Sequence, residues 1–358
     1  MSFARAFWPL LLTSALFAFA CMANPTQVLG PVDDGVFTIV VLPDTQWYTL
    51  SDDTIDPDGP AANGLRSSLG HFDHPGQGPV IFRAINEWIV ENRDEQNIVF
   101  VTHVGDVVER GRDESARKRW ELAREVMNIL HGEVPYAIAP GNHDLHPSTG
   151  DTTLFEEFFG EARFAGMEWY GGSYANNTSS YQLVEAGGES LLFVHLICNA
   201  RDDALAWADD VLSRFPERIA VVTTHMMLGP IESRGESALG IMQWGKVHGE
   251  EGNTPREIWD KLLARHANVR LVLSGDQSGT QAWHATETGE HGNAVHLMMS
   301  DYKQDSKEGY IRLLRINPDA ETIEVITYSP TKDALALGTR RVPNGNLHQF
   351  TLDWRASE

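Results

Sequence analysis

Cysteine is scarce, with only Cys21 and Cys198 among 358 residues. Two cysteines cannot build the multi-disulfide framework that holds small secreted domains together. Cys198 lies in the apolar run 191–198, so we expect a buried thiol there and no disulfide. The fold must then be stabilised by its core, and a chain that is 42% hydrophobic is long enough for one large domain or two.

Basic residues are also in short supply. The chain has 28 Lys and Arg against 50 Asp and Glu, which gives a formal net charge of -22. This balance argues against nucleic-acid recognition through a basic surface. An anionic substrate would need a local positive centre in such a chain, and a metal ion is the simplest one.

Long apolar segments are rare, and the one at the N terminus, 7–20, is shorter than the roughly 20 residues that span a bilayer. Arg5 precedes it, so we predict a signal peptide over residues 1–23. Two forms of processing remain open, namely cleavage at a small-residue site or a bacterial lipoprotein site that lipidates Cys21. Either form predicts export, to the periplasm, to the outside, or to a lipid anchor at the outer membrane or cell surface.

The first part of the chain alternates apolar runs with helical patterns. We predict strands at 36–42, 98–103 and 134–139, and helices at 79–92 and 114–130. Strand–helix units in succession are typical of parallel strands joined by right-handed crossovers. The loop 48–78 is long and acidic, and we expect it to contribute to substrate specificity.

The second part of the chain changes rhythm. We predict paired strands, two helices, two further strands and a closing antiparallel run, in chain order at 181–184, 191–197, 204–215, 219–224, 255–266, 269–274, 295–299, 310–316 and 322–328. A second loop, 229–253, is rich in glycine and polar residues. No repeat or interdomain linker interrupts the chain, so we expect one domain over 36–330, extended at its C terminus by 331–358.

Ligand-type side chains follow five of the predicted strands. They lie in Asp44-Thr45-Gln46, Gly105-Asp106, Gly141-Asn142-His143-Asp144, Thr224-His225 and Gly275-Asp276. Sites in open α/β sheets form beyond the carboxyl ends of strands, so we expect these residues to converge. Carboxylate, amide and imidazole donors together suit Mn, Fe, Zn or Mg ions.

The residue types indicate hydrolysis at phosphorus. A carboxylate such as Asp106 can bridge two metal ions, which together clamp the attacking and leaving oxygens. His143 is placed to donate a proton to the leaving oxygen. We expect Asp144 to hydrogen-bond the imidazole of His143 and to fix its tautomer.

In this order the motifs resemble those of the calcineurin-like metallophosphoesterases, whose pattern is D-x-H, GD-x-x-x-x-G, GNH-[DE], a lone H, and GH-x-H. The resemblance covers about 36–328 and is strongest with a secreted bacterial branch that carries Asp-Thr-Gln in the first motif. It implies an α/β fold, a four-layer αββα sandwich with two mixed β-sheets flanked by helices. It also implies a site for two divalent metal ions.

The resemblance assigns a role to each matching position. Asp106 would bridge the two ions, and His143 would be the acid and orienting group. The second metal would be held by Asn142, His225 and Asp276. The first metal would be held by Asp44, Gln46 and the residue at the position of Ser278.

Three positions depart from the family pattern, because Gln46, Asp276 and Ser278 each replace a histidine. The first metal position therefore lacks both imidazoles. Three outcomes remain open: one tight and one weak metal, a preference for harder ions such as Mn²⁺, Mg²⁺ or Ca²⁺ over Zn²⁺, or a substitute ligand such as His284.

These observations favour an exported metal-dependent phosphoesterase that hydrolyses a phosphomonoester or phosphodiester with metal-activated water. The substituted ligands motivate an alternative, in which a catalytically degraded family member acts as a metal-dependent binding module at the cell surface. Cleavage of a phosphonate or sulfate ester is a third hypothesis. The partner expected in the leading case is a phosphorylated substrate of unknown class, and the sequence leaves the oligomeric state open.

Overall fold

The computed structural model describes residues 29–58, 61–146, 148–229, 239, 248 and 251–355. The predicted signal peptide, 1–23, and Cys21 lie outside the described residues, as does most of the predicted loop 229–253. Within the described part, no helix is both long and apolar enough to cross a membrane.

Two seven-stranded mixed sheets form the centre of the molecule. The first sheet has the order β13-β12-β11-β1-β2-β3, with β14 paired to β12. Its strands are β1 (Phe37–Leu42), β2 (Ile98–His103), β3 (Tyr136–Ile138), β11 (Ile311–Asn317), β12 (Thr322–Ser329), β13 (Ala334–Leu335) and β14 (Gln349–Asp353). The strands β1, β2 and β3 are parallel, so their carboxyl ends meet at one edge.

The second sheet has the order β4-β5-β6-β7-β8-β10-β9. Its strands are β4 (Tyr170–Tyr174), β5 (Ser179–Ala186), β6 (Glu189–Leu196), β7 (Ile219–Thr224), β8 (Val269–Ser274), β9 (Ala282–Thr288) and β10 (Ala294–Ser300). The four strands β6, β7, β8 and β10 run parallel to one another. Their carboxyl ends therefore also share one edge.

Helices cover the outer face of each sheet. In chain order they are α1 (Ala62–Leu69), α2 (Gln77–Glu91), α3 (Arg117–Met127), α4 (Thr153–Phe159), α5 (Asp202–Arg214) and α6 (Pro255–Lys261). Side chains of α2, α3 and α4 pack on the first sheet, and those of α5 and α6 pack on the second.

Strand β1 shows why the core has layers. Val40 and Leu42 pack toward the helices, whereas Ile39 and Val41 pack between the sheets, because successive side chains of a strand point to opposite faces. Between the sheets, the rings of Phe100 and Phe193 stack with centroids 3.8 Å apart. The predicted four-layer αββα sandwich is confirmed.

Two predicted segments are wrong in detail. The predicted closing run does not form one sheet, because β10 pairs in the second sheet while β11 and β12 pair in the first. The predicted loop 48–78 contains the helix α1, whose Leu65 and Leu69 pack on Leu50 and Ile55. Periodicity reports which faces are apolar, but it does not report which strand is the neighbour.

Candidate metal centre

The site lies where the carboxyl edges of the two sheets meet. The first sheet contributes three of the predicted residues from the segments that follow β1, β2 and β3, and the second contributes two from the segments after β7 and β8. In chain order they are Asp44, Asp106, Asn142, His225 and Asp276. The crossover topology thus brings together side chains that are far apart in the sequence.

Three of these residues form the centre of the group. Asp44, Asp106 and His225 are buried, and each offers one ligand atom within 4.8 Å of the other two. The Nε2 atom of His225 lies 3.1 Å from Asn142 Oδ1, 3.2 Å from Asp106 Oδ1 and 3.7 Å from Asp276 Oδ1. The structure therefore gathers the sequence-predicted donors around one imidazole nitrogen.

The tautomer of His225 follows from its other ring nitrogen. Nδ1 donates to the carbonyl oxygen of Val104 at 2.9 Å, so in the neutral ring Nε2 carries the lone pair. A second hydrogen bond of this kind orients a ligating histidine toward its metal. His225 is thus held ready to ligate through the atom that faces the carboxylates.

Asp106 is the most connected acid of the group. Its Oδ1 accepts the backbone N–H of His143 at 2.8 Å, and its Oδ2 accepts Nε2 of Gln46 at 2.8 Å. Burial would raise the pKa of Asp106, but the imidazoles of His225 and His143 outweigh burial and hold that pKa well below its usual range. Asp106 is therefore an ionised carboxylate with neighbours on both of its oxygens.

Glycines allow the backbone to approach these carboxylates closely. A Cβ on Gly141 would lie 2.2 Å from Asp106 Oδ1, and a Cβ on Gly275 would lie 2.1 Å from Asp44 Oδ1. Both distances are far below van der Waals contact. The absence of a side chain at these two motif positions therefore lets the backbone pack directly against the two carboxylates.

A pair of alanine substitutions in one loop tests this packing. Gly275→Ala is expected to lower the free energy of unfolding by about 1–3 kcal/mol and to weaken metal binding, because the methyl group displaces Asp44. Gly279→Ala is the matched control, since its Cβ meets nothing within 4 Å and the change should stay within about 0.5 kcal/mol. Denaturant unfolding and metal titration of both variants would measure the difference. Equal behaviour of the two variants would contradict the close approach.

The donor set fits divalent metal ions. The Oε1 atom of Gln46 is buried and has no hydrogen-bond partner among the described residues. Buried polar atoms normally have a partner, and a bound cation would be one for this oxygen. Burial also raises the pKa values of the Asp44 and Asp276 carboxyls, so a cation bound beside each of them would stabilise its ionised form. Oxygen donors with one imidazole suit hard to borderline ions.

The imidazole of His143 forms a hydrogen bond with Glu109, a residue that the sequence analysis did not include in the site. The Nδ1 atom of His143 donates to Glu109 Oε1 at 2.9 Å, and its Nε2 lies 3.9 Å from Asp106 Oδ2. Burial would lower the pKa of His143, but the carboxylates of Asp106 and Glu109 raise it above its ordinary value. The acidic residue inside the motif from Gly105 to Gly111 was the available signal.

The predicted hydrogen bond between the carboxylate of Asp144 and the imidazole of His143 is wrong. Asp144 Oδ1 accepts the backbone N–H of Val108 at 3.0 Å, and Oδ2 accepts that of Gly141 at 2.8 Å. Burial and the charge of Asp106 raise the pKa of Asp144 to about 7. Asp144 therefore ties two motif loops together, while Glu109 orients the imidazole.

Comparisons with known proteins identify the family and the fold. Residues 37–278 match the family model of calcineurin-like phosphoesterases. The chain belongs to this family. The resemblance that the motifs suggested is thereby confirmed. The chain carries a domain of the metal-dependent phosphoric ester hydrolase class. Membership of this family implies a centre with two metal ions.

One curated relative of this calcineurin-like phosphoesterase is the uncharacterized protein YvnB of Bacillus subtilis. The two are 30% identical over 283 residues, which is 77% of this chain and 20% of the relative. The chain thus spans about a fifth of the length of that relative.

Two solved structures share the fold. A dimetal phosphatase from Danio rerio has a TM-score of 0.52 and 12% identity, over 90% of this chain and 99% of its own. The purple acid phosphatase PPD1 from yellow lupin (Lupinus luteus) has a TM-score of 0.51 and 12% identity, over 91% of this chain and 55% of its own. At this identity the likeness shows the fold alone.

The departures from the family motifs have structural consequences. Gln46 lies at the centre and donates a hydrogen bond to Asp106, whereas the backbone N–H of Ser278 donates to the carbonyl oxygen of Asp276. His284 stacks on Phe350 with ring centroids 4.2 Å apart, and it is not part of the group formed by Asp44, Asp106 and His225. The structure thus gives no support to His284 as a substitute ligand in this calcineurin-like phosphoesterase.

Proposed function

We propose that the protein is an exported, metal-dependent phosphoesterase that hydrolyses a phosphomonoester or a phosphodiester. The observation that carries this proposal is the buried group of Asp44, Asp106 and His225, with the imidazole of His143 beside it. Export rests on the N-terminal sequence pattern alone, with Cys21 as the proposed lipid attachment site if the chain is processed as a lipoprotein.

The residues divide into two proposed metal positions that share Asp106. Asp44 and Gln46 would hold the first ion, and Asn142, His225 and Asp276 would hold the second. Metals held by these residues would supply Lewis-acid polarisation of the phosphoryl oxygens and a lowered pKa for a nucleophilic water. Because Asp44, Gln46 and Asp106 all donate oxygen, we propose that the first position takes hard ions such as Mn²⁺ or Mg²⁺.

The proposed proton donor is His143. Glu109 fixes the proton on Nδ1, and the carboxylates of Asp106 and Glu109 raise the pKa of the ring against the effect of burial, so Nε2 can carry and release a proton to the leaving oxygen. This arrangement supports catalysis over the alternative of a metal-dependent binding module, because a binding module has no use for an oriented proton donor.

The surroundings of His143 suit an anionic substrate. A cavity of about 250 Å³ beside the metal centre is lined by Arg110, Arg112, Asn142, His143 and Leu145. In a chain with a net charge of -22, these two guanidinium groups are local positive charge next to the proton donor, although that of Arg110 lies 3.8 Å from the Glu109 carboxylate. The two arginines favour an ester substrate whose leaving group, or a group next to it, is anionic or polar.

Chelation tests the proposed function. We expect the purified protein to hydrolyse generic substrates such as 4-nitrophenyl phosphate or bis(4-nitrophenyl) phosphate, to lose that activity in EDTA, and to regain it with added divalent metal. Protein loaded in turn with Mn, Fe, Zn and Mg that turns over neither ester would contradict the proposal and favour the binding module.

A further inference from the structure

A lysine that the family motifs do not include lies beside the metal centre. Lys303 begins the short 3-10 helix Lys303–Glu308, which follows β10. Because β10 is parallel to β8, its carboxyl end leads to the same edge as Asp276. The chain segment after β10 is thus a further strand end that delivers side chains to the site.

Trp47 places the ammonium group on one side of the centre. Lys303 is half-buried, and its Nζ lies 5.8 Å from the centroid of the Trp47 ring. Trp47 directly follows Gln46 and also donates through Nε1 to Glu109. Lys303 therefore stands beside the segment that carries Asp44 and Gln46, in which Gln46 replaces an imidazole of the family pattern.

Lys303 is surrounded by acids without being paired to one. Its ammonium group is a cation at neutral pH, and Asp301, Asp44 and Asp106 are near enough to act on it electrostatically. Even so, within the described part of the chain no carboxylate oxygen lies within the 4.0 Å of Nζ that defines an ion pair. An ammonium group in this position keeps N–H donors for a ligand oxygen.

Asp301 holds the segment in place. It is fully buried, and its Oδ1 accepts the backbone N–H of Lys303 at 3.0 Å. Its Oδ2 has no hydrogen-bond partner among the described residues. The main chain of Lys303 is thus anchored by a buried carboxylate, while its Nζ lies over the Trp47 ring.

We propose that Lys303 is a catalytic residue whose Nζ donates a hydrogen bond to a non-bridging oxygen of the scissile phosphoryl group. The proposal rests on the proposed phosphoesterase function. An ammonium group beside Gln46 would stabilise the charge that gathers on the phosphoryl oxygens.

Binding of inorganic phosphate, which is the product of monoester hydrolysis and carries the same kind of non-bridging oxygens as a diester, tests this role without turnover. Calorimetry of the metal-loaded protein is expected to show that Lys303→Met raises the phosphate Kd about 10- to 100-fold, with unchanged metal content. Lys303→Arg should recover part of the affinity. Lys307→Met is the matched control, because Lys307 is an exposed lysine of the same short helix, and its Kd should equal that of wild type.

Two results would overturn the proposal. One is a phosphate Kd of Lys303→Met equal to that of Lys307→Met. The other is a gain of bound metal in Lys303→Met, which would mean that the ammonium group fills a metal position. Lys303→Gln provides the same test if the Met variant does not fold. A wild-type protein that binds phosphate through Lys303 but hydrolyses no ester would support the contact and contradict the proposed function, so the two failures are distinguishable.

Discussion

Replacing Asp106 by asparagine is expected to lower kcat/KM for phosphoester hydrolysis by roughly 10³-fold or more and to reduce the metal content. The physical reason is the position of this carboxylate between the two proposed metal positions. It lies within 4.8 Å of donor atoms of Asp44 and His225 and accepts a hydrogen bond from Gln46. Asparagine keeps the size of the side chain but removes the charge that a bridging ligand needs.

The measurement for Asp106→Asn combines elemental analysis with steady-state kinetics on one preparation. Circular dichroism and thermal unfolding would establish that the variant is folded. Asp94→Asn is the matched control, since Asp94 is an exposed aspartate whose side chain is 88% accessible. Wild-type metal content together with wild-type turnover in Asp106→Asn would show that this carboxylate does not bridge.

Replacing His143 is expected to act on the leaving group and not on the metals. His143→Asn should lower kcat by about 10²- to 10⁴-fold for an alkyl phosphate, because general acid catalysis contributes on that order. The loss should be much smaller for 4-nitrophenyl phosphate, whose leaving group needs no proton. Bound metal should remain as in wild type.

A second variant, Glu109→Gln, and the choice of leaving group both test the role of the His143 imidazole. Glu109→Gln should show a smaller loss with the same leaving-group dependence, since it removes the charge that holds the imidazole at 2.9 Å. A loss in His143→Asn that is equal for alkyl and 4-nitrophenyl esters would show that the imidazole orients substrate and does not donate the proton.

Buried strands were predictable from sequence where both faces are covered. The strands β2, β7 and β8 have the predicted bounds, because a strand buried on both faces appears as a continuous apolar run. The strand β9 (Ala282–Thr288) carries polar residues on partly exposed positions, and apolar runs do not reveal such a strand. Its pairing with β10 is a tertiary property.

The sequence predicted the part of the site that consists of metal-ligand side chains directly after buried strands. Asp44, Asp106 and His225 converge as the carboxyl-end rule implies. The partner of His143 was missed because Glu109 lies 34 residues away in sequence and only its place in the Gly105–Gly111 motif signalled it. The adjacent Asp144 was the simpler prediction, but its carboxylate accepts hydrogen bonds from backbone N–H groups. Lys303 was missed for a related reason, since its proximity to the acids exists only after β10 joins the second sheet.

The most direct test of the metal-dependent site is elemental analysis of the purified, folded protein, with ester hydrolysis measured on the same sample. We expect about two divalent ions per chain, as a carboxylate-bridged pair requires, and turnover that disappears when both are removed. Turnover that persists after complete removal of metal would contradict the proposed chemistry. A folded protein that binds none of Mn, Fe, Zn or Mg would contradict the assignment of Asp44, Asp106 and His225 as a metal centre.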